Sequence, residues 1–368
     1  MPQAPKKILL TGATGYIGGT VLAAILNSSA PSLKSACITC LLRGSERAAQ
    51  LTSAYGDRVK PVLYEDLDDL DRAIEVASQH DIVINTTPGM HVASSQALVR
   101  GLAQRKQSLG CEVWMIHTSG VSNIGDRPIS NPMPIHEWDD IKDDVYTFEK
   151  KLEDEYAYPQ RTAELGVVDT GLQLGVKTLV IMSPIIYGIG TGLFNTQSLA
   201  LYTMKALVQV GRPVVLGDGA GIWGHVHVKD LADLYALVAQ EIMEGNLESI
   251  PSGKKGIIYS SNGQHSWLEL TSDLAEVCHK NGLIPEKTIT HVDLDEGTAL
   301  LAPTLGFPDL AIDSSNARAY VETVFASNAR TVASVARSLG WKPSRGEEAW
   351  KQNFQDDANV LLKAVKKT

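Results

Sequence analysis

Thr11-Gly12-Ala13-Thr14-Gly15-Tyr16-Ile17-Gly18 follows the apolar run Ile8-Leu9-Leu10 and opens a stretch in which Ile17, Val21 and Ile25 recur at helical spacing. This is a strand, a glycine turn and a helix in succession. Glycines at 12, 15 and 18 allow a tight turn, a close backbone approach to a diphosphate and close helix-on-strand packing. The start of the helix adds N–H groups with no partner of their own, which suit an anion. The first ligand to expect is therefore a dinucleotide, although a glycine-rich turn can also be a simple connector.

Working outward, short apolar runs recur at Ile38 to Leu42, Val59 to Leu63, Ile82 to Ile84, Val113 to Ile116 and Leu179 to Met182. Strands that are apolar on both faces belong in a parallel sheet covered by helices. Helical patterns fall between them, at Tyr16 to Leu26, Glu46 to Ala54, Leu67 to Ser78 and Ala93 to Gln107. The alternation predicts an α/β chain with a Rossmann-type doubly wound parallel sheet. After Ile185 the rhythm changes. Helices are expected near 198–210, 228–241, 268–280 and 328–339, a strand near 257–260, and a charged helix at the C-terminus.

The chain has 368 residues, 44% of them apolar, and a formal net charge of -9. That composition can bury a large core and offers no general attraction to nucleic acid or anionic lipid. No signal-type apolar region follows Met1 to Lys7 and no run is long enough to span a membrane, so a cytoplasmic chain is expected, with no membrane partner. Cys37 and Cys40 are expected as buried thiols on opposite faces of the second strand. Neither they nor Cys111 and Cys278 suggest a disulfide framework or a metal site. The acidic stretch Glu137 to Glu155 reads as a solvated helical face or a mobile flap.

Thr-Gly-Ala-Thr-Gly-Tyr-Ile-Gly resembles the start of the extended and atypical short-chain dehydrogenase/reductases, which include the NAD(P)-dependent epimerases and dehydratases. Further landmarks similar to theirs are Ser183-Pro184-Ile185-Ile186-Tyr187-Gly188-Ile189-Gly190, Leu216 to Gly219, His225 to Leu231 and Leu339 to Pro343. The resemblance implies residues 1–187 as an NADP-binding domain. Residues 188–368 would then be mainly a smaller, partly interleaved substrate domain, with segments near 222–262 returning to the sheet. It also implies a small hydroxy, keto or sugar-like substrate; a homodimer is left open. An NmrA-like regulator that senses NADP without turnover is the alternative.

The second strand ends Leu41-Leu42-Arg43-Gly44-Ser45, with no acid to hold the ribose of NAD. Arg43 and Ser45 suit a 2′-phosphate instead, so NADP(H) is the expected cofactor. The cofactor-binding set is Gly12, Thr14, Gly15, Tyr16, Ile17, Gly18, Arg43, Ser45, Asp66, Leu67, Thr86, Thr87, Pro88 and Pro184, with Asp66-Leu67, Thr86-Thr87-Pro88 and Pro184 placed by the resemblance.

Family chemistry needs a serine to hold the reacting oxygen, a tyrosine to pass its proton, and a lysine four residues later to favour the phenolate. Ser119 takes the serine's place. Two registers compete for the tyrosine. Tyr146 and Lys150 have the literal spacing, whereas counting back about 28 residues from Pro184 reaches Tyr156, followed by Ala163-Glu164 as in the family. The Tyr156 register is preferred, because Pro159 suits the first turn of a helix. It puts neutral Gln160 where the lysine belongs. Asn195, Gln197, Trp223, His225 and His227 are further polar candidates, with the histidines expected to be structural.

Overall fold

The computed structural model describes residues 6–305 and 314–365. Seven parallel strands form its central sheet: β1 (Ile8–Thr11), β2 (Ile38–Leu42), β3 (Val59–Leu63), β4 (Ile82–Asn85), β5 (Trp114–Gly120), β6 (Lys177–Ser183) and β7 (Ile257–Tyr259). Their order is β7-β6-β5-β4-β1-β2-β3. Ile8 lies opposite Ile38 on one side and Ile82 on the other. The chain reverses its direction of winding between β1 and β4, which opens a crevice at the carboxyl ends of those strands.

Every residue of β1, β2 and β4 is buried, as expected for strands covered on both faces. β3 is different. It is an edge strand, half exposed and carrying Pro61, which has no N–H to give to a further neighbour. The helix expected over 67–78 runs from Leu70 to Ala77, because Asp66 and Asp69 turn the chain first by accepting from the N–H groups of Asp68 and Glu65. Cys40 is buried in β2, but Cys37 precedes the strand and is exposed, a correction to the expected pair of buried thiols.

The acidic stretch is only in part the solvated face expected: Glu137, Asp144, Asp154 and Glu155 are exposed, but others of its acids are enclosed. Glu137–Asp139 forms a short strand, Val145–Glu155 forms a helix, and Asp139, Asp140 and Glu149 are buried. The partner of that strand is Arg330–Val332, in the segment expected to be helical over 328–339. There the helix is cut down to Ser334–Ser338. Its start is held by the carboxylate of Asp140, which accepts from the Val335 N–H, and by Asp139, which accepts from the Ser334 hydroxyl. Distant acids thus overrode a local helical pattern.

Strands Ile185–Tyr187, Ile222–His227 and Gln264–Ser266 form a second sheet, while β7 returns to the edge of the first beside β6. The C-terminal helix Glu347–Val365 closes this region with Trp350, whose ring stacks on His225 at 4.2 Å between centroids and on His265 at 5.1 Å. Burial holds both imidazoles neutral, at about 4 for His225 and about 3 for His265. They make an uncharged stack with ring nitrogens 3.1 Å apart. His227 instead caps a helix by accepting from the Lys229 N–H, and Trp223 is buried with its indole N–H on Ser327. Trp350→Ala should therefore empty the centre of the stack and cost about 3–5 kcal/mol, read as a fall in the denaturant midpoint.

Candidate functional site

The crevice begins at the glycine turn. Gly12 has φ of 75°, the left-handed region, and its carbonyl accepts from the Gly15 N–H at 2.8 Å. A Cβ on Gly18 would lie 2.3 Å from both the Gly12 carbonyl oxygen and Thr86 Oγ1, so the helix Tyr16–Asn27 sits directly on the turn. A Cβ on Gly15 would meet only the Gly12 carbonyl oxygen, at 3.2 Å. The space beyond it is open. Gly15 caps the helix without a side-chain hydrogen bond, and no acid stands in the first turn. The N–H groups of that turn are therefore offered to an anion. Tyr16 contributes backbone only, since its hydroxyl donates to the Gly188 carbonyl at 2.6 Å; Thr14 and Ile17 are half-buried beside it.

The strand tips extend this cradle. Arg43 and Ser45 are exposed at the end of β2, with Gly44 turning the chain between them at φ of 86°. Beyond β3, Asp66 is exposed and Leu67 half-buried. After β4, Thr86 donates to the Thr11 carbonyl at 2.7 Å, and Asn85 Oδ1 accepts from the hydroxyls of Thr11 and Thr87, each at 2.6 Å. Asn85 Nδ2 donates to His117 Nδ1 at 3.1 Å. Buried Asn85 thus ties together the tips of β1, β4 and β5. Pro88 is exposed in the following turn, and Pro184 is buried just after β6.

Ser119 is buried near the tip of β5, its hydroxyl accepting from Asn123 Nδ2 at 3.1 Å. Gln160 lies across the same opening. Its Oε1 accepts from Ser122 at 2.7 Å, and its Nε2 is 3.0 Å from where a Cβ on Gly120 would be and 3.4 Å from one on Gly89. A neutral amide therefore occupies the bridge between the ends of β4 and β5.

The two tyrosines have separate surroundings. Tyr146 is buried, and its hydroxyl donates to Asp169 at 2.6 Å, while Lys150 pairs with the other oxygen of Asp169 at 3.4 Å. Burial, then the bond to Asp169, pushes Tyr146 up to about 12. That tyrosine and lysine converge on a carboxylate of the neighbouring helix. Tyr156 is half-buried between the helices Val145–Glu155 and Pro159–Leu174, with the guanidinium of Arg127 4.3 Å and that of Arg161 4.7 Å from its ring centre. Arg161 is completely buried: it binds Glu153 at 2.9 Å and donates to the carbonyls of Asn123 and Tyr156.

Sequence reading missed Asn85, His117, Asn123 and Tyr158, whose hydroxyl bonds to Ser122 and Tyr320. Their only signal was closeness to a strand end or to Pro159. Among the described residues no group of three or more His, Cys, Asp or Glu is placed to hold a metal ion. Nor is any described helix long and apolar enough to cross a membrane.

The two glycines separate packing from binding. Gly15→Val should leave the melting curve nearly unchanged and abolish dinucleotide binding in calorimetry, because its side chain enters open space. Gly18→Val should lower the melting temperature outright, since a Cβ there overlaps backbone.

A model of the NAD dependent epimerase/dehydratase family matches residues 8–250. The oxidase ucsJ of an Acremonium species is 30% identical over 353 residues, 92% of this chain and 93% of that protein. Among solved structures, the UDP-glucose 4-epimerase of Thermotoga maritima, with UDP-glucose, superposes with a TM-score of 0.56 at 13% identity, covering 98% of this chain and 99% of the other. The dTDP-glucose 4,6-dehydratase of Streptomyces venezuelae, a double mutant with NAD and DAU bound, gives 0.59 at 15% identity over 96% of each chain. These structural likenesses speak for the fold, and the family match, over more than half of the sequence, speaks for descent: the chain belongs to the NAD-dependent epimerase/dehydratase family.

Proposed function

We propose that the protein is an NADP(H)-dependent enzyme that interconverts hydroxyl and carbonyl groups on a small hydroxy, keto or sugar-like metabolite. The observation that supports this most is the meeting, at one crevice, of an open anion cradle beside Gly15 and a serine hydroxyl, Ser119, two strands away on β5. In the proposal the helix N-terminus holds the diphosphate, Arg43 and Ser45 hold the 2′-phosphate, and Asp66 with Leu67 meets the adenine. Thr86, Thr87 and Pro88 line the ribose, and Pro184 lies near the nicotinamide. When bound, the dinucleotide would accept or supply a hydride. Reduction, epimerisation and dehydration are all served by that chemistry, and the site rather than the fold has to choose among them.

Ser119 would orient the reacting oxygen and Tyr156 would pass its proton. Gln160 cannot supply the charge a phenolate needs, but two guanidinium groups lie within 5 Å of the Tyr156 ring centre. Arg127 and Arg161 would therefore take over part of the missing lysine's electrostatic work. The same Gln160 favours a second reading, an NmrA-like sensor in which NADP changes partner binding without turnover.

Removal of the Arg43 guanidinium should weaken NADP(H) by about 1–3 kcal/mol and leave NAD(H) nearly unchanged. Titration of Arg43→Ala with both cofactors checks this, and equal losses would withdraw the preference for NADP. With NADPH and a panel of carbonyl compounds, Tyr156→Phe should lower turnover about a hundredfold or more without loss of cofactor affinity. Tyr146→Phe and Lys150→Ala should do little, and the reverse ranking would move catalysis to that pair. A wild-type protein that turns over nothing, yet binds a partner differently with NADP and NADPH, would favour the sensor.

A further inference from the structure

Behind Ser119 lies a group of buried acids that the proposed chemistry does not use. Glu149 on the helix Val145–Glu155 and Glu164 on the helix Pro159–Leu174 are both completely buried, and their carboxyl groups face each other closely enough for a hydrogen bond to form if one of them carries a proton. They are short of donors. Both oxygens of Glu149 and Oε1 of Glu164 have no donor among the described residues; Oε2 of Glu164 accepts from Asn123 Nδ2 at 2.6 Å, and the Ser119 hydroxyl also stands against the Glu164 carboxylate. Two ionised carboxylates can only accept, so such a contact is repulsive unless a proton lies between them.

No neighbouring cation removes that need. Arg161 faces the pair, but its guanidinium also serves Glu153 and backbone carbonyls, so one positive charge stands against three carboxylates. Tyr259 borders the pair with a hydroxyl that itself has no partner, and Asp140 and Asp143 add further negative charge around it. The link to the crevice is direct. Asn123 Nδ2 donates at once to Glu164 and to Ser119 Oγ.

We infer that Glu149 and Glu164 hold a single proton between them at neutral pH and act, through the amide of Asn123, as positioning residues for Ser119. Its catalytic consequence rests on the role proposed above for Ser119, whereas the shared proton is a property of the folded chain alone. Burial pushes Glu164 up to about 7 and Glu149 well above the usual carboxylate range, in keeping with the shared proton. Gln160 brings no positive charge to the crevice, so two ionised carboxylates behind Ser119 would oppose any negative charge growing on an oxygen held there. The retained proton removes one of them.

Infrared spectroscopy of the cofactor-free protein at pH 7 tests this. The wild type should show the carbonyl stretch of a protonated carboxyl, Glu149→Gln and Glu164→Gln should each abolish it, and Ser119→Ala should shift it. Stability supplies an independent readout. A raised folded-state value means stability that is present below the ordinary glutamate range and lost as pH rises toward 7. The wild-type folding constant should thus fall up to about tenfold per pH unit over that window, with Glu164→Gln flattening the slope. Absence of the band, a band indifferent to both glutamine substitutions, or one unmoved by Ser119→Ala would overturn the inference. So would stability that follows cation concentration in place of pH, which would put a metal ion between the acids. Should either glutamine variant fail to fold, the wild-type band and the other variant still decide. With a carbonyl substrate, Glu164→Gln should move the pH profile of kcat and leave the KM for NADPH alone, and an unmoved profile would refute the positioning role. If nothing is turned over but the band responds as stated, the oxidoreductase reading fails and the shared proton stands.

Discussion

A missing side chain at Gly18 is the constraint from which the crevice is built. With no Cβ there, the first turn of the helix Tyr16–Asn27 rests on the Gly12 carbonyl and the Thr86 hydroxyl, in space that no other residue leaves free. Thr86 in turn closes onto the Thr11 carbonyl, and Thr11 and Thr87 share Asn85 Oδ1, whose amide nitrogen reaches His117 on β5. One atom's absence therefore sets the height of three strand tips relative to a helix N-terminus. Buried hydrogen bonds of this kind add about 1 kcal/mol each, but leaving one partner unmatched costs more, so the arrangement is fixed as a unit.

The electrostatics of the crevice depart from what the family resemblance implies. A lysine after the tyrosine would bring a charge to the mouth; here the amide of Gln160 bridges Ser122 and the glycines at 89 and 120. His117 is also neutral, because complete burial lowers it to about 4. Positive charge is supplied from the side, by guanidinium groups over the ring of Tyr156, and negative charge lies behind, in Glu149 and Glu164. Polar groups gathered in a low-dielectric setting interact strongly, so the protonation of this small set matters more to the site than the net charge of the chain.

What could be read from the sequence was local. The glycine turn, the alternation of apolar runs with helical patterns and Pro159 at a helix start all depend on residues within a turn or two of each other. The acidic stretch could not be read that way. Its Asp139 and Asp140 are buried because a segment nearly 200 residues later needs caps for Ser334 and Val335, and the same contacts reduce that segment's expected helix to five residues. Tyr146 and Lys150 likewise matched a motif in spacing, and only the neighbouring helix, through Asp169, shows where they point. A charge run carries no sign of which of its members will be enclosed.

Arg161 joins these two levels. One position beyond Gln160, it is turned about 100° around the helix from that amide, on the side where Glu164 follows three residues later. There it is wholly buried and binds Glu153 together with the carbonyls of Leu152 and Tyr156, so that it locks the corner between two helices. That corner decides where Tyr156 projects, where the Gln160 amide lies and how closely Glu164 meets Glu149. Breaking such a buried ion pair from one side leaves an uncompensated charge and is costly, which keeps Arg161 from swinging out as a substitute for the lysine. Its guanidinium acts from where it stands, on the ring of Tyr156 and the acid pair beside it, so that one buried cation is the joint between two helices and shares with Arg127 the positive charge set against that ring.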